Sequence, residues 1–170
     1  MNRRLALKSL AVLIGGVAVA GSVQGFASPA ASAGRLVKTP AQWRALLPAN
    51  RYTVLFEEGT EAPGSSPLNL EKRDGTFVCA ACFLPLFDSS KKFESGTGWP
   101  SFWQPIRNAL GTKSDHKLFA ERTEYHCKRC AGHQGHVFDD GPRPTGLRYC
   151  NNGLALQFVP RAAPLPALRT

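Results

Sequence analysis

Four of the five cysteines form two Cys-x-x-Cys pairs, Cys79 with Cys82 and Cys127 with Cys130, and the fifth, Cys150, stands alone. Each pair has the spacing of half a tetrahedral thiolate site, so two such turns close one site around a zinc ion. Between the pairs lie 44 residues, a longer interval than in a compact zinc ribbon. An ion held there would cross-link distant strands, and its affinity would become folding free energy. Two disulfides and a Cys-x-x-Cys redox couple are the competing arrangements, although a bridge inside one pair closes a loop too small to stabilise much. Iron suits the same four donors.

Cys150 is then the thiol available for nucleophilic chemistry. On a strand through Leu147–Asn152 the two-residue period places Arg148, Cys150 and Asn152 on one face. A guanidinium beside a thiol favours the thiolate, which is the attacking form, and Asn152 offers hydrogen bonds to a polar substrate. His133 and His136, three apart in His-Gln-Gly-His, could deliver a proton near neutral pH. Each residue also has a plainer role: Cys150 as a buried thiol, the histidines as core or supports of the thiolates, and Trp99 as core.

The elements that must position these groups are short strands cut by turns from Gly75 onward. Thr76–Val78 leads into the first cysteine pair and Leu84–Phe87 leaves it; Thr123–His126 leads into the second pair and His136–Phe138 leaves it. Leu147–Asn151 and Leu154–Val159 read as a hairpin about Asn152-Gly153. Upstream, Thr39-Pro40-Ala41-Gln42 is a capping box opening a short helix that stops before Pro48. Residues 59–75 read as a long loop, and the Pro- and Ala-rich tail, residues 161–170, as flexible. The fold class is mainly β, mostly antiparallel, with a minor N-terminal helix and a four-cysteine staple.

Residues 1–33 read as an export signal: Arg3, Arg4 and Lys8 precede the apolar run Leu10–Gly21, which is too short to span a bilayer comfortably. The paired arginines suggest the twin-arginine route, which exports folded proteins to the periplasm. Cleavage is expected after Ala33 or Ala27, with no lipid or membrane anchor. The segment's three positive charges come off a total of +9, leaving +6 on a single domain of 137 residues. That charge is scattered, without the basic face and interleaved aromatics of a nucleic-acid binder. The remaining organisation is a lead and helix over 34–49 and a domain over 50–160.

Taken together, these motifs resemble the methionine sulfoxide reductase B family. The resemblance rests on Gly59-Thr60-Glu61, Cys-Ala-Ala-Cys at 79–82 and Ser-Gly-Thr-Gly-Trp-Pro-Ser-Phe at 95–102. It continues through Cys-x-x-Cys at 127–130, the run from His133 to Pro142 and Gly-Leu-Arg-Tyr-Cys at 146–150. It implies two antiparallel sheets, a structural zinc, and reduction of the R epimer of methionine sulfoxide in oxidised proteins or peptides. By that resemblance Cys150 is the nucleophile, and His133 and His136 bind the substrate oxygen and supply acid. Arg148 and Asn152 support the site, and Trp99 forms the wall for the substrate methyl. Many relatives carry a resolving cysteine where this chain has Thr97, so a thioredoxin-like protein or a small thiol is expected as direct reductant. Milder departures are Gln134, Asn151 and Gly153. The alternative reading is a non-catalytic zinc-containing β domain of the same descent that binds a protein partner.

Overall fold

The computed structural model describes residues 34–116 and 121–170; the export signal expected over residues 1–33 lies outside them. Helix α1 (Pro40–Leu46) starts at the capping box seen in the sequence. Thr39 Oγ1 accepts from Gln42 N, while Gln42 Oε1 accepts from Thr39 N at 2.8 Å. A second helix, α2 (Ala49–Phe56), was not expected. Pro48, which cannot continue α1, instead opens α2, and α2 buries Tyr52, Val54 and Leu55. Trp43 of α1 stacks on Phe56 at 4.8 Å. Among the described residues no helix is long and apolar enough to cross a membrane.

Nine strands form two antiparallel sheets among the described residues. The smaller orders β2 (Pro85–Asp88), β1 (Gly75–Cys79) and β9 (Leu156–Pro160). The larger begins with β3 (Lys92–Phe93), β4 (Ser101–Phe102) and β8 (Arg148–Asn151). It continues with β7 (His133–Phe138), β6 (Arg122–Cys127) and β5 (Leu110–Asp115). Aromatic rings join the two layers. Phe87 of the small sheet stacks on Phe102 of the large one at 4.2 Å, and Phe77 meets Phe102 edge-on at 4.9 Å. All three are fully buried, so each contributes roughly 1.5–3 kcal/mol by leaving water.

Each cysteine pair occupies the turn of a hairpin, one per sheet. Cys79–Cys82 joins β1 to β2, and Cys127–Cys130 joins β6 to β7. The two turns share one geometry. In each, the residue after the second cysteine is left-handed, Phe83 at φ 64° and Ala131 at φ 60°. Its amide bonds back to the first cysteine, Phe83 N to Cys79 O and Ala131 N to Cys127 O. Non-glycine residues in that conformation cost roughly 1–2 kcal/mol each, so something else must hold these turns.

One expectation is corrected. The last two strands are not a hairpin, because β8 belongs to the large sheet and β9 to the small one. Asn152-Gly153 starts a 3-10 turn (Gly153–Ala155) instead of a tight reversal, because the buried Glu61 carboxylate accepts from Gly153 N and Leu154 N. A contact across 92 residues overrides the local Asn-Gly signal. In the tail, Arg169 N donates to Cys82 O, and its guanidinium lies over Phe83 at 4.7 Å.

Candidate active site

A bulge in β7 builds the proton-handling side of the site. On a regular strand His133 and His136, three apart, would face opposite ways. The β6–β7 register runs Tyr125 to Gly135 and then His126 to His133, leaving Gln134 as the extra residue. That insertion turns both imidazoles to one side, with ring centroids 5.6 Å apart. Gly135 follows because any side chain there would strike the backbone of Cys150 on β8. Cys150 pairs with His136 on one flank and with Ser101 of β4 on the other.

The nucleophile candidate therefore sits mid-sheet, in a cleft of about 140 Å³ whose lining includes Trp99, Arg122, His136, Cys150 and Asn152. Trp99 is held by its indole N–H, which donates to Glu61 O at 3.1 Å. Asn152 is pinned at both ends of its amide: Oδ1 accepts from Glu61 N, and Nδ2 donates to Gln134 O. Glu61 thus organises the indole wall, the amide and the turn after Cys150. Its sequence signal was only its place in Gly59-Thr60-Glu61.

The two histidines have different surroundings. His136 faces the cleft, and its Nε2 lies 2.7 Å from Asp115 Oδ2, which also accepts from Arg122 at 2.7 Å. The carboxylate fixes Nε2 as the donor nitrogen, leaving Nδ1 to exchange a proton. His133 is buried behind it, with Nδ1 3.2 Å from Glu124 Oε1 but poorly aligned for a hydrogen bond. Burial holds the His133 imidazole below its ordinary pKa despite Glu124, so it is neutral at neutral pH.

Arg148 clamps Asp140 through two bonds, Nε to Oδ1 and Nη2 to Oδ2, both 2.8 Å. Burial pushes the Cys150 thiol above its ordinary pKa, while the Arg148 charge and hydrogen bonds from Thr97 and Arg148 pull it back. Arg148 thus favours the thiolate, but burial outweighs it and Asp140 opposes it. Thr97 reaches Cys150 from the loop before β4, where Gly96 and Gly98 are left-handed at φ 72° and 91°. Its hydroxyl continues into a chain, Thr97 to Ser95 and Ser95 to Ser101, each 2.8 Å. Asp115 and Arg122 were not singled out from sequence, since nothing in their local pattern sets them apart from solvated charges, and Glu61 and Asp140 entered only as members of quoted motifs with no role of their own.

The other four cysteines are buried, unbridged and gathered, with all Sγ atoms within 4.8 Å of one another. The contacts run between the two turns, Cys79 to Cys130 at 3.7 Å and Cys82 to Cys127 at 3.5 Å. Tetrahedral Zn–S bonds of about 2.3 Å place sulfurs about 3.8 Å apart, so this set fits a tetrahedral ion, and no disulfide joins its members. Without a cation, burial pushes the Cys79 thiol well above its ordinary value, which a bound divalent ion reverses.

Known proteins match this chain over most of its length. Residues 47–160 match the SelR domain family model. The peptide methionine sulfoxide reductase MsrB of Pseudomonas putida (strain W619) is 50% identical over 128 residues, 75% of this chain and 96% of that protein. The MsrB of Leptospira interrogans (serogroup Icterohaemorrhagiae serovar Lai, strain 56601) is 48% identical over 122 residues, 71% of this chain and 93% of its own. That of Thiobacillus denitrificans is 49% identical over 125 residues, 73% and 95% of the two chains.

Proposed function

The chain belongs to the methionine sulfoxide reductase B family, and from that premise we propose that Cys150 reduces the R epimer of protein-bound methionine sulfoxide in a cycle with no resolving cysteine. Methionine sulfoxide reduction itself follows from the family; the observation that carries the finer reading is Cys150 in the cleft between Trp99 and the Asp115-held His136. The Cys150 thiolate attacks the sulfoxide sulfur while the oxygen takes a proton, for which His136 is the placed donor. That attack joins Cys150 Sγ to the substrate sulfur; the protonated oxygen then passes to Cys150 Sγ as this S–S bond and the substrate's S–O bond both break, so methionine leaves and Cys150 becomes a sulfenic acid. Positive charge on the substrate sulfur and methyl is stabilised at the Trp99 face by roughly 0.5–2 kcal/mol. A first external thiol then forms a mixed disulfide with release of water, and a second frees Cys150. A thioredoxin-like protein or a small thiol fits that role.

Cys79, Cys82, Cys127 and Cys130 would hold zinc. When bound, zinc supplies no redox chemistry and cross-links the two sheets. We assign residues 1–33 to twin-arginine export, which lets the thiols take up metal in the reducing cytosol, and the periplasm as the working compartment. The test is turnover of both epimers of a methionine-sulfoxide peptide with dithiothreitol. R-only activity supports this function; no activity on either epimer, in folded and metallated protein, favours a non-catalytic binding domain.

Two further outcomes follow from the geometry. Asp115→Asn should lower kcat about 10–100-fold, since general acid catalysis typically contributes ~10²–10⁴-fold and this variant only disorients the acid. Cys150 alkylation should stay unchanged. Thr97→Cys places a second thiol against Cys150, so a single turnover should end in a disulfide between Cys150 and the introduced thiol, visible as loss of two titratable thiols.

A further inference from the structure

Gln134 and Asn151, two positions at which the chain departs from the family pattern, touch each other. Both side chains are fully buried. Gln134 is the bulge residue of β7, so it points away from the two histidines and toward the cysteine cluster. Its Nε2 donates to Cys79 Sγ at 3.7 Å and to Gly132 O at 3.4 Å. Its Oε1 accepts from Asn151 Nδ2 at 3.5 Å, and Asn151 Nδ2 also donates to Asn152 O at 2.8 Å. Asn151 Oδ1 accepts from the Tyr125 hydroxyl at 2.8 Å.

The polarity of this chain has one consistent direction. The Asn152 carbonyl can only accept, which fixes Asn151 Nδ2 as the donor and leaves Asn151 Oδ1 to accept from the Tyr125 hydroxyl. That fixes Gln134 Oε1 as acceptor and turns Gln134 Nε2 to the sulfur. The chain therefore ends by requiring an acceptor at Cys79, and a metal-bound thiolate is one. We propose that Gln134 is a positioning residue that ties the Cys79 thiolate of the metal centre to the nucleophile strand through Asn151. Hydrogen bonds to a metal ligand orient it and tune the ion it holds. Here the bond does so from the residue whose bulge also aligns His133 with His136, and its far end sits beside Cys150. The proposal rests on the metal-binding cluster and not on the reductase reading.

The test uses cobalt(II) and zinc as probes in the full protein. Removing a hydrogen bond from a thiolate raises the energy of its sulfur lone pair, so Gln134→Leu should red-shift the sulfur-to-cobalt charge-transfer band. Zinc release to excess chelator should quicken about 10–100-fold, the usual effect of losing such a support. Gln134→Met, which keeps the length and loses the donor, should do the same. A band that does not move in either variant overturns the proposal whatever the release rate. For the link to the strand, Asn151→Leu should also speed zinc release, and the double variant should be no faster than Gln134→Leu alone. Multiplying effects would overturn that link. Should Asn151→Leu fail to fold, Asn151→Ser, whose shorter side chain cannot reach Gln134, answers the same question.

Discussion

Cys150→Ser lowers turnover of a methionine-sulfoxide peptide by at least about 10⁴-fold, the scale expected when a covalent nucleophile is removed. Serine keeps the shape and a hydrogen-bonding group, so the cleft and its neighbours Thr97 and Arg148 stay in place and the melting temperature changes little. It loses nucleophilicity, because a hydroxyl is scarcely ionised where a thiol already is in part. The same site fixes the pH dependence. Burial raises the Cys150 thiol above its ordinary value against the opposing pull of Arg148 and Thr97. The reactive thiolate therefore increases as pH rises, with its midpoint above the free-thiol value of about 8.5. Iodoacetamide alkylation of Cys150, followed from pH 6 to 10, should climb through that region; a plateau reached by pH 7 contradicts this electrostatic balance.

Cys127→Ser should cost the fold. Cys79 and Cys82 close the β1–β2 hairpin and Cys127 and Cys130 the β6–β7 hairpin, so one ion held by all four would fasten the small sheet to the large. Structural zinc sites contribute about 10–16 kcal/mol of apparent binding free energy in peptides, against a total stability of about 5–15 kcal/mol for a typical domain. Losing one of four ligands forfeits much of that and frees the left-handed Phe83 and Ala131 turns. The expected result is protein without bound zinc, lacking a cooperative thermal transition or melting far below the parent. A variant that still melts cooperatively near the parent temperature, with no metal by elemental analysis, contradicts the stapling role.

What the sequence discloses divides along the range of the interactions involved. The cysteine pairs were legible because ligand spacing is local, and Cys150 because it was the thiol left over. Strands β1, β2, β6 and β7 were legible from apolar runs flanking those pairs. Strand β5 was missed: Leu110–Asp115 is an edge strand with three exposed residues in the middle and no alternation to read. With it went Asp115, whose service to His136 spans 21 residues. The Asn152-Gly153 hairpin failed because a carboxylate 92 residues away, on Glu61, captures the Gly153 amide. The bulge at Gln134 had no sequence marker beyond Gly135 beside it, yet it decides that His133 and His136 share a face. The family resemblance supplied that grouping where strand periodicity alone opposed it.

The central claim is that Cys150 takes the oxygen and no other cysteine of this chain resolves it. The most direct measurement is mass spectrometry after a single turnover, with one equivalent of the R-sulfoxide peptide, no reductant, and dimedone to trap sulfenic acid. The expected product is a dimedone adduct on Cys150 alone, with Cys79, Cys82, Cys127 and Cys130 unmodified and still holding metal. A disulfide joining Cys150 to any of those four, with loss of the ion, would contradict it.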